Sequence, residues 1–421
     1  MSQGNDFTFA KPVKSFNNLS ATANRIQQRS NIKMSATNSN FDGPEFFNKN
    51  LSDLQNNINQ KKSNNRGGTV VMQTATEPVV TGSTTNDHVM EGFQDMMFYH
   101  KQYVTLSEIP HNTKNMYVDE LMKTAKALAT PGKGILASDE STGTIGNRFK
   151  QIQLENTHEN RIAYRDLLFS TPGLSDYISG AILYDETARD SGLDGTKFVD
   201  ALAQKGIIPG IKIDVGLTTI QGTEDETATM GLDGMAERAK EYYSMGIRFA
   251  KWRAVIKIDS KTGCPSDQAI EETAHSLARY GSICQHNGLV PIIEPEILQD
   301  GDHSIVTCAE VSEKVFTAVQ SAIIKYKLVQ EGLLWKPNMV TKGADCKDET
   351  SAEEVAFYTV RTLSRTIPPA VPGITFLSGG QAEETASLNL NAINKLAFPK
   401  HPWNMSFSYG RALQTSVLNA W

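Results

Sequence analysis

The stretch Arg248-Phe-Ala-Lys-Trp-Arg-Ala-Val-Ile256 is mostly apolar and of strand length, yet Lys251 and Arg253 interrupt it. Strands buried on both faces of a parallel sheet read as unbroken apolar runs, so charges inside one need a reason. Working outward, seven similar runs appear. Upstream are Gly134-Ile-Leu-Ala-Ser138, Gly180-Ala-Ile-Leu-Tyr184 and Ile207-Ile-Pro-Gly-Ile-Lys-Ile213. Downstream are Leu289-Val-Pro-Ile-Ile-Glu-Pro295, Leu333-Leu-Trp-Lys-Pro-Asn-Met-Val340, Ile374-Thr-Phe-Leu-Ser378 and Met405-Ser-Phe-Ser-Tyr409. Helical patterns separate them, at 267–286 and at 309–330, where Val311, Val315, Ala318 and Val319 fall on one face. Ser351 and Glu354 have capping-box spacing for a helix running toward Arg365. Eight β-then-α units over about 310 residues predict an α/β fold of the (β/α)8 TIM-barrel type, which usually takes about 250. A doubly wound sheet is the alternative, but it would want a GxGxxG near its start, and none is present.

The chain has 421 residues, 39% of them hydrophobic, enough for one large domain or two ordinary ones. Charge is nearly balanced at −6, which excludes a globally basic nucleic-acid binder while leaving room for a local basic pocket. No apolar run approaches the roughly 18 residues of a membrane span. Cys264, Cys284, Cys308 and Cys346 form no CxxC pair and no secreted-type framework, so the expectation is a soluble protein of a reducing compartment.

Composition changes near residue 112. The first hundred residues hold 15 Asn and 7 Gln and no Trp or Cys, too little apolar surface to offset the entropy of ordering. Residues 1–112 are therefore expected to be a largely disordered, Asn-rich N-terminal extension, and 113–421 the barrel. The first 41 residues carry five basic side chains and one acidic, Asp6, a composition shared by solvated tails and organellar transit peptides.

Three of the predicted strands contain lysine (Lys212, Lys251, Lys336), and a fourth carries Glu294, with Glu296 just beyond it. Inward positions of neighbouring barrel strands meet in one layer, so these charges are expected to face one another. A structural ion-pair network would satisfy them; so would a catalytic site. Lysines crowded with carboxylates suit amine nucleophile catalysis. A free lysine is almost wholly protonated at neutral pH, while burial and neighbouring cations free its lone pair to attack a carbonyl. Glu294 is placed to move protons as carbinolamine becomes imine. The iminium then withdraws electrons from the adjacent carbon, so a C–C bond can break without a metal: a Schiff-base lyase.

Substrate class is read from the last two strands. Leu377-Ser378-Gly379-Gly380-Gln381 and Ser408-Tyr409-Gly410-Arg411 follow strands seven and eight, where such barrels commonly bind phosphate on glycine amides and a helix N-terminus. Ser138-Asp139-Glu140-Ser141-Thr142-Gly143-Thr144 offers donors for a second phosphate, though Ser141 or Thr144 can equally cap the next helix. The eight histidines show no metal-ligand spacing, and Asp300-Gly301-Asp302-His303 reads as a polar loop.

Together these segments resemble the class I, Schiff-base fructose 1,6-bisphosphate aldolases. The resemblance runs from about Val118 to Trp421. It rests on Pro131-Gly-Lys-Gly-Ile-Leu-Ala137, Phe249-Ala-Lys-Trp-Arg253, Ile293-Glu-Pro-Glu-Ile297, Lys336-Pro-Asn-Met-Val340, Leu377-Ser-Gly-Gly-Gln381 and Ser408-Tyr-Gly-Arg411, in the family's order. It implies that Lys336 forms the Schiff base, Glu294 is its acid/base, and Asp139 takes the proton from the hydroxyl whose carbon leaves as aldehyde. Lys251 would support charge nearby, and Glu296 would pair with the lysines. Arg411 with Ser378, Gly379, Gly380 and Gly410 would hold the phosphate of the dihydroxyacetone half. Ser141, Thr144, Arg148 and Lys212 would meet the other phosphate, with Arg253 beside the pocket. The substrates implied are phosphorylated ketoses and trioses, with no cofactor, no metal, no nucleic acid and no membrane. A cytoplasmic homotetramer is implied, or a plastid or other organellar enzyme if the extension is a targeting segment.

Three departures stand out. Thr144 stands where relatives usually have Ser or Thr, and Asn147 and Val215 where they usually have Lys. Each missing cation is expected to weaken phosphate binding by about 1 kcal/mol. That leaves two alternatives: preference for another phosphorylated ketose such as sedoheptulose bisphosphate, or a barrel retained as a binding scaffold. The family's mobile C-terminal tail, ending in tyrosine, is absent from this sequence, and slower turnover is expected, to be tested by grafting a tail on.

Overall fold

In the computed structural model, which describes residues 115–396 and 401–421, each of the eight apolar runs contributes a strand. These are β1 (Gly134–Ser138), β2 (Ile178–Leu183), β3 (Ile208–Lys212), β6 (Phe249–Ile256), β7 (Val290–Ile297), β8 (Leu334–Trp335), β9 (Gly373–Phe376) and β10 (Asn404–Tyr409). A small antiparallel hairpin, β4 (Leu217–Thr219) and β5 (Thr227–Thr229), lies between β3 and β6. The eight strands pair in parallel and close in the order β1-β10-β9-β8-β7-β6-β3-β2. The fold is a (β/α)8 barrel. The extension expected at 1–112 lies outside the described residues.

Helix starts follow from local chemistry. Ser141, Thr157, Ser266 and Ser304 each accept the backbone N–H three residues on, at 3.1 to 3.3 Å. Ser351 and Glu354 close the reciprocal capping box at the head of Ala352–Thr366. Caps of this kind contribute about 1 kcal/mol each. The helix expected at 309–330 is Ile305–Lys325, capped by Ser304 and ended before Lys327, whose φ of 58° is left-handed.

Two apolar layers result. The outer one packs the helices on the barrel, with Trp252 stacked on Tyr280 and Phe316 edge-on to Trp335. The inner one fills the barrel with Ile135, Ala137, Ile182, Phe249, Ile292 and Leu334, together with Leu121, Ala125 and Leu128 of the helix Val118–Leu128. That helix packs against the strands' N-terminal ends: Ser179 donates to Leu128 O at 2.7 Å, and Ala129 abuts Gly373. Room for the Phe249 ring comes from glycine, since a Cβ on Gly210 would lie 2.2 Å from it and one on Gly180 3.1 Å.

Two features differ from the sequence reading. The β4–β5 hairpin is too short and too exposed to leave a periodic signature. The sixth run forms a ladder only over Leu334–Trp335 because Pro337 has no N–H to donate. The Lys336 N–H still reaches Ile293 O at 2.8 Å, which holds the lysine in line with the barrel. No helix among the described residues is long and apolar enough to cross a membrane.

Candidate active site

Side chains alternate across a strand, so the residue two steps beyond an inward apolar residue also points inward. Phe249 leads to Lys251, Ile292 to Glu294, Leu334 to Lys336 and Ala137 to Asp139. These four charges form one chain at the C-terminal mouth. Lys336 Nζ lies 2.8 Å from Glu294 Oε1, Lys251 Nζ lies 3.4 Å from Glu294 Oε2, and Lys251 Nζ lies 2.8 Å from Asp139 Oδ2. All four are buried. Burial alone would raise the Asp139 pKa, but Lys251, Lys336 and Lys212 outweigh it and bring it down from 3.8 to about 2. Burial also works against a charged Lys251, and Asp139, Glu294 and Asp214 reverse that, raising its pKa. Both therefore stay ionised across the physiological range.

Around this centre, Lys212 faces Lys251 in register and pairs with Asp214, whose second oxygen accepts the Arg253 N–H at 3.5 Å. Asp214 was not singled out in the sequence, although its position two residues past Lys212 carries the same inward signal. Glu296 pairs with Arg253, and this corrects the expectation that it holds the lysines. The lysines share Glu294 instead, and Glu296, one inward step further up β7, takes Arg253 Nε.

The first-strand loop is organised by Ser141, which accepts the Thr144 N–H at 3.3 Å and meets the Thr144 hydroxyl at 3.0 Å. The capping reading thus holds, and the hydroxyls stay partly exposed. Arg148 follows on the same short helix, Thr142–Phe149. Glu140, which also takes Arg165 at 2.8 Å, holds it beside Gly410 and in a cleft shared with Arg411. Arg148 lies one turn beyond Thr144, on the same side of that helix. Asn147 instead accepts Lys150 Nζ at 3.3 Å.

Across the mouth, Ser378 is buried at the end of β9, and Gly379 and Gly380 take φ of 58° and 91°, which only glycine adopts freely. The Arg411 guanidinium passes over Gly380, 3.5 Å from where a Cβ would stand. Arg411 has no carboxylate partner among the described residues and opens the helix Arg411–Ala420, whose first N–H groups have no intrahelical acceptor. Glycine amides, a helix N-terminus and an uncompensated guanidinium together make an anion site.

A buried amine held on a carboxylate, a second carboxylate nearby and an anion site across the mouth fit imine chemistry on a phosphorylated carbonyl compound. The family model described as fructose-bisphosphate aldolase class-I matches residues 120–421. The chain belongs to that family. This aldolase is accordingly a lyase of glycolysis and of the metal-independent class. It is 60% identical over 302 residues to fructose-bisphosphate aldolase 1 of Toxoplasma gondii, covering 72% of this chain and 83% of that one. It is 57% identical over 308 residues to the cytoplasmic isozyme of Spinacia oleracea, covering 73% and 85%. A solved structure of the Plasmodium falciparum aldolase with TRAP and a small molecule inhibitor aligns at TM-score 0.72 and 57% identity, covering 74% of this chain and 89% of that one.

Proposed function

We propose that this aldolase cleaves fructose 1,6-bisphosphate reversibly to dihydroxyacetone phosphate and glyceraldehyde 3-phosphate through an imine on Lys336. The observation that carries the reading is the buried sequence of contacts from Lys336 through Glu294 and Lys251 to Asp139. Lys336 Nζ adds to the ketose carbonyl, and Glu294, 2.8 Å away, takes the proton the amine must lose. Glu294 then returns a proton to the carbinolamine hydroxyl, which leaves as water. With the iminium formed, Asp139 accepts the proton of the C4 hydroxyl, the C3–C4 bond breaks, and its electron pair passes into the iminium. A carboxylate held near pH 2 by its cation is a weak base, so Lys251 has a second task. Its ammonium stands beside Asp139 and offsets the alkoxide charge as that develops. The aldehyde departs, the remaining enamine is protonated at C3, and hydrolysis frees Lys336.

In this reading Arg411, Ser378, Gly379, Gly380 and Gly410 hold the phosphate of the dihydroxyacetone half. Ser141, Thr144 and Lys212 face the other, with Arg253 and Glu296 as a charged pair beside them. Residues 113–421 are the catalytic domain. The protein works in the cytoplasm, in keeping with the named location of the spinach relative, and as a homotetramer, in keeping with its family. Light scattering at four times the 46.3 kDa chain mass checks the last point.

Incubation with dihydroxyacetone phosphate and borohydride, followed by peptide mass spectrometry, tests the mechanism. A phosphate-bearing adduct on Lys336, absent in Lys336→Met, is expected. A folded, EDTA-indifferent protein that gives no adduct would overturn the mechanism and favour a binding scaffold.

A further inference from the structure

The loop that carries Asp139 and the helix that starts at Arg411 are joined through one buried amide. Gln414, 1% exposed, donates to Ala137 O at 2.7 Å and to Glu140 Oε1 at 3.1 Å, and its own oxygen accepts the Tyr164 hydroxyl at 3.0 Å. The amide nitrogen and oxygen of that side chain are thus engaged by β1, by the residue after Asp139 and by the helix His158–Ser170. Gly410 is wedged into the same junction, where a Cβ would stand 3.3 Å from Ala137 O and 3.7 Å from both Arg148 and Glu140. Gln414 therefore fixes the first turn of Arg411–Ala420 against the strand whose next residues are Ser138 and Asp139.

We infer that Gln414 is a positioning residue that sets the distance between the substrate-phosphate site and the imine centre. The inference rests on the reading above that phosphate binds at Arg411. Asp139 anchors Lys251, and through it Glu294 and Lys336, so the reacting carbon's place is referred to β1. Arg411 and the open N–H groups of its helix are referred to Gln414, three residues on. Ala137 and Glu140 bring these two references together. Binding energy from a phosphate lowers the barrier at the carbonyl only if the two ends are spaced correctly. Glu140 is buried and holds two arginines as well, so its removal would also change the local charge. Gln414 is neutral, which lets its substitution report on position alone.

Gln414→Met keeps the side-chain volume and removes both ends of the amide. Ligands of one end and of both are compared with the unmodified protein: the competitive inhibition constant of inorganic phosphate and borohydride trapping of unphosphorylated dihydroxyacetone on Lys336 for one end each, and kcat/KM for fructose 1,6-bisphosphate for both. The kcat/KM for fructose 1,6-bisphosphate, which engages both ends, is expected to fall about five- to tenfold, the effect of one or two lost hydrogen bonds, with the inorganic phosphate constant and dihydroxyacetone trapping, which each engage one end, nearly unchanged. An unmoved kcat/KM, or an inorganic phosphate constant weakened to the same extent, would overturn the inference. So would an equal fall in dihydroxyacetone trapping, which would make Gln414 a support of the fold and nothing more. Should Gln414→Met not fold, Tyr164→Phe removes only the donor to the Gln414 oxygen, and the same split is expected at roughly two- to threefold. Failure of the unmodified protein to trap dihydroxyacetone phosphate on Lys336 would strike the proposed mechanism instead, which keeps the two failures distinguishable.

Discussion

Inside one barrel, two layers two residues apart follow opposite physics. Ala137, Phe249, Ile292 and Leu334 form a dry apolar plug, and Asp139, Lys251, Glu294 and Lys336, the next inward positions of the same strand lines, form a buried chain of alternating charge. The plug gains from burial at about 25 cal/mol per Å² and asks nothing specific of its neighbours. The charged layer gains little or loses on desolvation, and persists because each group has a partner of opposite sign. The lower layer is thus built for stability and the upper for reactivity, and substitutions in the two should separate those properties.

The largest effect is expected at Lys336. Lys336→Met removes the amine that attacks the carbonyl, and a fall in cleavage on the order of 10⁴-fold or more follows for a lost nucleophile. Unfolding by urea should change much less, because Glu294 keeps Lys251 as a partner. A variant that loses stability in step with activity would show the upper layer to be structural. Lys251→Met breaks the chain at its centre. Asp139 is left buried beside an apolar side chain, and a loss of about 3–5 kcal/mol in urea stability is expected together with a large fall in kcat. If cleavage survives while stability falls, Lys251 acts only as the counter-ion of Asp139.

In the lower layer, Phe249→Ala should cost about 3–5 kcal/mol through lost burial and the cavity left behind. Activity per folded molecule should stay near the starting value, because Lys251 is held by its own pairs. Gly210→Ala tests the same ring from the other side: its Cβ meets the ring at 2.2 Å, so the ring or the strand must move. If relieving the ring with Phe249→Leu does not restore part of that loss, the contact is not what limits stability.

The contrast between the layers explains what could be read beforehand. Lys212, Lys251, Glu294 and Lys336 were legible because each breaks an apolar run, and the alternation of a strand says which way it points. Partner choice was not legible. Whether Glu294 or Glu296 takes the lysines depends on register and reach, and the sequence shows only that both face inward. The tie between Glu140 and Gln414 spans 274 positions, and neither residue interrupts a pattern, so nothing in the linear text connects them. The place of Arg148 beside Gly410 was not legible for a related reason: the text of 141–148 shows a cap but not which distant element the helix meets.

Acid and base should leave the charged layer intact over a wide range, a smaller effect that sharpens the contrast. The Asp139 pKa is lowered in the folded protein, so its contribution is fully present above the unfolded value of 3.8 and is lost as pH falls through about 2. The Lys251 pKa is raised, so its contribution is present below 10.5 and is lost only as pH rises through the higher folded value. Urea stability from this pair should therefore be flat between about pH 5 and 9. In Lys251→Met the lowering cation is gone and burial remains, so the acid loss of stability should begin at higher pH. An unmoved acid limb would mean that other groups hold Asp139 ionised.

The smallest effect concerns the two sides of the mouth. At Arg411 the cation is uncompensated, while Lys212 on the opposite side is already committed to Asp214. Val215, 59% exposed, follows Asp214 directly, and its N–H donates to Met230 O across the base of the β4–β5 hairpin. A lysine there keeps the backbone bond and reaches solvent without disturbing the core. It acts on a phosphate in one of two ways, by direct contact or by sharing Asp214 and releasing Lys212. Either way Val215→Lys should lower the KM for fructose 1,6-bisphosphate about three- to fivefold, the effect of roughly 1 kcal/mol at a partly exposed pair. The KM for fructose 1-phosphate, which lacks the second phosphate, should stay where it is. Equal gains for both substrates would mean that the added charge only steers anions toward the mouth, and the difference between its two sides would then have no part in choosing the substrate.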